Sequence, residues 1–175
     1  MNCQQRIGSH NIARLIRELP NSSSQDRDVW AKQVVSNEIS LSELIPLLSL
    51  EYKVASRTLW LLSQIALEDP NCMQPQLPAI YNAFTSKHIR GGEASIVNQW
   101  LICGVPIEME SVCINQLSTW LASNEINITT KTRAIKVLLS LVEKYPELKI
   151  ELRAYLERLR EDNDKAFSKF AEVME

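Results

Sequence analysis

Apolar residues recur every three to four positions along almost the whole 175-residue chain, and no stretch alternates in the two-residue rhythm of a strand. Ile12, Leu15, Ile16 and Leu19 share one face before Pro20 stops the turn. A polar loop, Asn21-Ser22-Ser23-Ser24, offers N-cap residues for a helix from about Asp26 to Asn37. Leu44, Ile45, Leu47 and Leu48 form the next stripe, with Ser40 as its cap and Glu43 as the return partner of a capping box. The strongest helix is expected over 53–67, ended before Asp69-Pro70. Further helices are expected at 77–84, with Pro75 and Pro78 in its first turn, at 94–103, and from Val112 to about Asn124. Thr130 is positioned to cap 131–144, Pro146 to open a helix through Arg160, and Phe167, Phe170 and Val173 to mark a last one. Ten helices are expected, and the fold class is all-α.

Composition agrees with that reading. Four Gly and seven Pro in 175 residues are too few for a turn-rich β protein. With 45% hydrophobic residues, enough apolar surface can be buried to offset the entropy of ordering the chain. The length suits one domain, 1–175. Nineteen basic and twenty-one acidic residues leave a net charge of −2, so no global field draws in nucleic acid. The first residues, Met1 to Arg6, lack the apolar core of a secretory signal, and no run is long enough to span a membrane. Cys3, Cys72, Cys103 and Cys113 lack Cys-x-x-Cys spacing and a nearby His. Free thiols and a cytoplasmic location are expected, with no metal and no cofactor.

The chain also compares with itself. Displaced by 76 positions, Arg57 falls on Arg133, Leu59 on Ile135, Leu62 on Leu138, Ile65 on Leu141 and Pro70 on Pro146. Displaced by 40, Trp60 falls on Trp100 and Leu61 on Leu101. The longer shift contains two steps of about 38 residues, near the period of HEAT and armadillo helix pairs.

Residues 44–48 followed by Val54-Ala-Ser-Arg-Thr-Leu-Trp-Leu-Leu-Ser-Gln-Ile-Ala resemble a HEAT repeat: an apolar first helix, a short turn, then a second helix rich in Ala and Leu. Ala55-Ser56 separates Val54 from Arg57, a departure from the family's adjacent pair. Lys131-Thr-Arg-Ala-Ile-Lys-Val-Leu-Leu is a cleaner instance. The resemblance covers about 40–160 and implies a HEAT-like right-handed superhelix of about five antiparallel helix pairs, near 10–37, 42–67, 75–104, 110–145 and 147–174. Residues 55–62 and 77–81 also resemble a group of short bacterial HEAT-like proteins sometimes labelled adenylosuccinate lyase. That label fails chemically. The lyase superfamily needs a Ser-Ser-x-Met-Pro-x-Lys-x-Asn-Pro loop and histidines for acid/base work. The loop is missing here, and His10 and His88 sit in unrelated contexts.

No other catalytic constellation takes its place. No Walker loop, Gly-x-Gly-x-x-Gly or His-Glu-x-x-His occurs, and His88, in Ser86-Lys87-His88-Ile89-Arg90-Gly91, reads as a solvated loop residue and His10 as one near a helix end or in solvent. The expected function is therefore non-enzymatic. The second helices of HEAT-like pairs line a concave groove, and on 53–67 the polar stripe is Lys53, Ser56, Arg57, Trp60 and Gln64. A Trp among polar residues is unusual, and Trp and Arg are enriched in binding hot spots. Trp60 either faces the groove or packs its ring across a neighbouring repeat. Repeat-equivalent positions add Trp100, whose helix-face neighbours are mostly apolar, and Arg133 and Lys136. Between Arg90 and Lys131 there is no Lys or Arg, while Trp100, Ile102, Ile107, Met109, Val112 and Trp120 crowd the stretch. Either these helices form a buried middle, or 93–125 offers an apolar face for self-association. The leading expectation is a scaffold that holds a protein or peptide in its groove. The alternative is nucleic-acid binding, as in DNA alkylation-repeat proteins, with Lys53, Arg57, Arg133 and Lys136 against phosphates and Trp60 stacking on a base.

Overall fold

The computed structural model describes residues 12–87 and 89–161, and every regular element among them is helical. The expected last helix at 167–173, together with His10, His88 and Cys3, lies outside the described residues. The chain divides into two compact units between Pro106 and Ile107. Gly104 takes φ +75°, a conformation that ends the preceding helix, and Pro106 cannot resume it.

In the first unit, helix α1 occupies residues 12–18 and tightens into a 3-10 turn at Leu19–Asn21. Helix α2 (Ser24–Val35) starts two residues earlier than expected because Ser23 closes a capping box. The Asp26 backbone N–H donates to Ser23 Oγ (3.1 Å), and the Ser23 N–H donates to the Asp26 carboxylate (2.8 Å). The box expected at Ser40 and Glu43 does not form. Ser40 Oγ pairs instead with Ser42 Oγ at 2.8 Å, and the short helix α3 (Leu41–Leu44) runs into a 3-10 segment, Ile45–Ser49, without a side-chain cap.

Helix α4 (Tyr52–Glu68) is the centre of this unit. Val54, Ala55, Thr58, Leu59, Leu61, Leu62, Ile65 and Ala66 are all buried, so its apolar surface wraps more than one side. Helix α5 (Pro70–Met73), not anticipated from periodicity, is nucleated by Asp69, whose Oδ1 accepts from the N–H groups of Asn71 (3.0 Å) and Cys72 (3.2 Å). After a 3-10 turn at Gln74–Gln76 come α6 (Leu77–Lys87) and α7 (Glu93–Cys103). Pro78 sits in the first turn of α6, while Pro75 belongs to the turn before it.

Both α2 and α7 pack on α4, which lies between them, and α6 packs on the Ile45–Ser49 segment. At the α4–α7 joint, Gln99 Nε2 donates to Ser63 Oγ at 3.4 Å, and Ser63 Oγ lies 3.1 Å from the Leu59 carbonyl. Gly92 lets α7 begin against the core. A Cβ there would fall 2.6 Å from Leu59 Cδ1 and 2.9 Å from Phe84 Cε2.

The second unit holds a 3-10 turn, Ile107–Met109, and three helices: α8 (Glu110–Ala122), α9 (Ile128–Leu141) and α10 (Leu148–Glu161). Helix α9 packs on both of the others. Its cap is Asn127 rather than Thr130. Asn127 Oδ1 accepts from the Thr130 backbone N–H (2.9 Å) and hydroxyl (3.2 Å), which makes Thr130 the third residue of the helix. Pro146 lies in the turn before α10 rather than within it. Leu148, Leu152 and Leu156 bury the inner face of α10, and Tyr155 donates its hydroxyl to the Ser118 carbonyl of α8 at 3.2 Å. No helix among the described residues is long and apolar enough to cross a membrane.

Candidate functional site

The site begins with the rotation of α4 about its own axis. Thr58, Leu59, Leu61 and Leu62 are buried on its inner sides, which turns Trp60 outward. The indole is 42% exposed. Two guanidinium groups cover it. Arg57, three residues earlier on α4, sits with its Cζ 4.3 Å from the ring centroid. Arg27, reaching across from α2, sits at 5.1 Å. Both distances are within cation–π range.

Each arginine is held differently. Arg27 Nη1 donates to the Ser22 carbonyl (2.9 Å) and to Ser22 Oγ (3.1 Å), which pins the side chain beside the start of α2. Burial, and after it the nearby Arg57 charge, hold the Arg27 pKa below the usual guanidinium value, though the group stays protonated. Arg57 makes no hydrogen bond to another described residue, so its donors are free beyond the ring contact. Neither arginine forms an ion pair among the described residues. Asp26, the acid close to Arg27 in sequence, is occupied by the Ser23 cap. Asp28 and Asp26 offset part of the Arg27 charge without closing an ion pair, so the arrangement is a half-exposed aromatic ring with two forked donor groups beside it.

Sequence reasoning missed Arg27. Nothing in the spacing of α2 marks it, because its part in the site comes from the packing of α2 on α4. Lys53, at the first turn of α4, is exposed.

Trp100 does not join this surface. It is 2% exposed, with its ring 5.3 Å from that of Tyr81 and tilted by 38°. The cause is a one-residue error in register. A displacement of 40 pairs Trp60 with Trp100, but burial along α7 follows α4 with a displacement of 41. Thr58 and Gln99 are then both buried, Leu59 and Trp100 are both buried, and Trp60 and Leu101 are both exposed, Leu101 by 37%. One residue is about 100° of helical rotation, enough to move a side chain from surface to core. Leu101 is the α7 counterpart of Trp60.

The displacement of 76 fares differently. From 54 to 62 the order is buried, buried, half-buried, half-buried, buried, buried, exposed, buried, buried, and from 130 to 138 it is identical. Arg133 is accordingly half-buried like Arg57, and Lys136 exposed like Trp60. Both belong to the second unit, whereas Lys53, Arg57 and Trp60 belong to the first. The apolar stretch that lacks basic residues divides likewise. Trp100, Met109, Trp120 and Leu121 are buried, while Leu101, Ile107 (74% exposed) and Val112 reach the surface.

Other chemistry is sparse. Burial pushes the Cys103 thiol up to about 11 and the Cys113 thiol higher still, so neither is a ready nucleophile. Among the described residues no three His, Cys, Asp or Glu side chains gather as a metal ion would require. A cleft of about 110 Å³ between α1 and α2 is lined by Leu15, Trp30 and Ile39, with Arg14 and Glu18 paired at its edge. A second, of about 400 Å³, is lined by Val34, Leu41, Asp69 and Cys72, and its carboxylate already caps α5. In the second unit Glu110 accepts from Lys144 Nζ and from the Tyr145 hydroxyl (2.7 Å). The Lys144 hydrogen bond, followed by that of Tyr145, lowers the Glu110 pKa, and the same contacts raise those of Lys144 and Tyr145. This triad ties the start of α8 to the turn that follows α9. Comparison with known families, with characterised proteins and with solved structures returns no match.

Proposed function

We propose that the chain is a non-enzymatic interaction module, a HEAT-like right-handed array of about five helix pairs that holds a protein or peptide segment on the face of its second helices. The row α2, α4, α7 supports this reading, because second helices of successive pairs stack on one another in such arrays. The identical burial order of 54–62 and 130–138 supports a repeated unit. The observation that carries the function is the exposed Trp60 beside two arginines that form no ion pair among the described residues. A large aromatic kept half in water, while six of its α4 neighbours are fully buried, adds more to recognition than to the core.

A photo-reactive amino acid placed at position 60, or at Leu101, tests the face in the native cell. It should cross-link one protein reproducibly. The same group at Ala79, an exposed residue of α6, should not capture it. A nucleic-acid adduct through position 60 would refute the reading in favour of DNA or RNA. So would binding of dodecathymidylate that weakens steeply with added salt. Equal capture from positions 60 and 79 would also refute the face.

A further inference from the structure

The proposed docking face leaves the chemistry of its occupant open, and the surroundings of Trp60 narrow it. Resting on that reading, we infer that the Arg27–Trp60–Arg57 cluster is the seat for a carboxylate side chain of an acidic partner segment, with an apolar stem lying over the exposed indole edge.

Charge is the first argument. Two guanidinium groups within 5.1 Å of one ring centroid repel each other; Asp28 and Asp26 offset part of the Arg27 charge, but no carboxylate among the described residues forms an ion pair with either arginine. An anion delivered from outside would relieve that repulsion. Geometry is the second. With Nη1 committed to Ser22, Arg27 keeps the rest of its fork, and Arg57 keeps all of its donors. Planar, forked donors match carboxylates, because two parallel N–H···O bonds form at once. The seat is also prepared in advance: both guanidinium groups already rest against the indole, and Ser22 pins Arg27, so little side-chain freedom is lost when an anion arrives.

Why a carboxylate and not a nucleic-acid backbone? A single strand presents phosphates in series and is held by a groove of cations that tracks it. Here the positive charge is a short cluster, Arg27 and Arg57 with the exposed Lys53 one turn earlier on α4, rather than a track. The adjoining helix α7 carries Glu93 as its sole charged residue, and the chain has no Lys or Arg between Arg90 and Lys131. The exposed residue of α7 is Leu101. One acidic group followed by apolar side chains fits such a surface better than a run of phosphates.

The test uses the full chain labelled with ¹⁵N, in which each Trp gives its own indole N–H signal; that of Trp60 is identified by its loss in Trp60→Phe. Hexaglutamate is titrated at low and at physiological salt, beside hexaglutamine and dodecathymidylate. The Trp60 signal should shift with hexaglutamate and stay still with hexaglutamine, while the buried Trp100 signal does not move. Arg57→Gln should weaken the response about tenfold, the scale of one lost charge-assisted hydrogen-bond pair. Arg57→Lys should recover part of it, and the far-ultraviolet spectrum of each variant checks that α4 is intact. Silence of the Trp60 signal at millimolar hexaglutamate overturns the seat. An equal response to hexaglutamine overturns it too, and so does tighter binding of dodecathymidylate. The two proposals fail separately: a protein adduct through position 60 that persists in Arg57→Gln keeps the docking face and removes the carboxylate seat. If Arg57→Gln unfolds, the comparison of hexaglutamate with hexaglutamine on the unaltered chain still decides.

Discussion

Replacing Trp60 and Trp100 by alanine, each alone, separates a surface aromatic from a core one within the same unit. Trp100 is 2% exposed and packs against Tyr81 at 5.3 Å. Its removal loses the transfer energy of the whole ring and leaves a cavity, a combination that costs about 3–5 kcal/mol. Trp60 is 42% exposed, so somewhat more than half of its surface is removed from water. A fully buried aromatic covers about 150–250 Å² at ~25 cal/mol per Å², and just over half of that corresponds to about 2–4 kcal/mol. The denatured chain already buries part of this area, which brings the figure near 2 kcal/mol. Water enters the vacated space, so no cavity adds to it, and the two arginine stems can settle onto α4. Trp60→Ala is therefore expected to cost about half as much as Trp100→Ala. Leu62→Ala, at a fully buried position of α4, supplies a yardstick of about 2–5 kcal/mol. Equilibrium unfolding in guanidinium chloride, followed by circular dichroism to avoid the changed fluorescence, measures all three, and the slopes show whether the same surface unfolds. Equal losses at Trp60 and Trp100, or a Trp100→Ala protein as stable as the parent, would refute the assignment of one ring to the surface and the other to the core.

Gly92→Ala should destabilise by about 1–3 kcal/mol, because the new Cβ would sit 2.6 Å from Leu59 Cδ1 and overpack the start of α7; an unchanged melting temperature would count against that close approach. Asn127→Ala should cost about 1 kcal/mol through loss of the α9 cap, and Ser40→Ala distinctly less, since the Ser40 hydroxyl caps nothing; denaturant midpoints in the reverse order would contradict the capping geometry. Glu110→Gln should lower the melting temperature at neutral pH. Because the Glu110 pKa is lowered in the folded protein, its contribution is complete above the usual carboxylate range. The contribution shrinks as pH falls through that range and vanishes below the lowered value. At the alkaline end the raised Lys144 value acts in the opposite sense, with its share complete at and below the ordinary lysine pKa and lost as pH rises past the raised one. A gap between parent and variant that stays constant from neutral pH into strong acid would refute the triad's role.

Local rules decided most of the secondary structure. The three-and-four spacing of apolar residues, together with Asp69-Pro70 and Gly104, bounded α4 and α7 to within a residue or two, because period and helix breakers act within a single turn. Caps were less legible. Ser23, Asp69 and Asn127 hold them, and Ser40 and Thr130 do not, since several residues of suitable chemistry stand together and the backbone's entry angle selects among them. The polar stripe showed which α4 residues share a face with Trp60, because a helix fixes that, but whether the ring meets solvent or a neighbouring helix was left open until packing placed Arg27 beside it and left it 42% exposed. The placement of Trp100 was not legible. Its surroundings on α7 are apolar on nearly every side, and only packing against α4 and Tyr81 sets the rotation that buries it and exposes Leu101. Arg27 depended on tertiary structure altogether. Nothing within its own helix distinguishes it from other surface arginines. It became part of the candidate site when α2 packed on α4 and carried its guanidinium over a ring 33 positions along the chain. Periodicity settles what a residue shares a helix face with. What stands opposite that face is decided by how helices pack, and packing depends on shapes that the spacing of apolar residues does not encode.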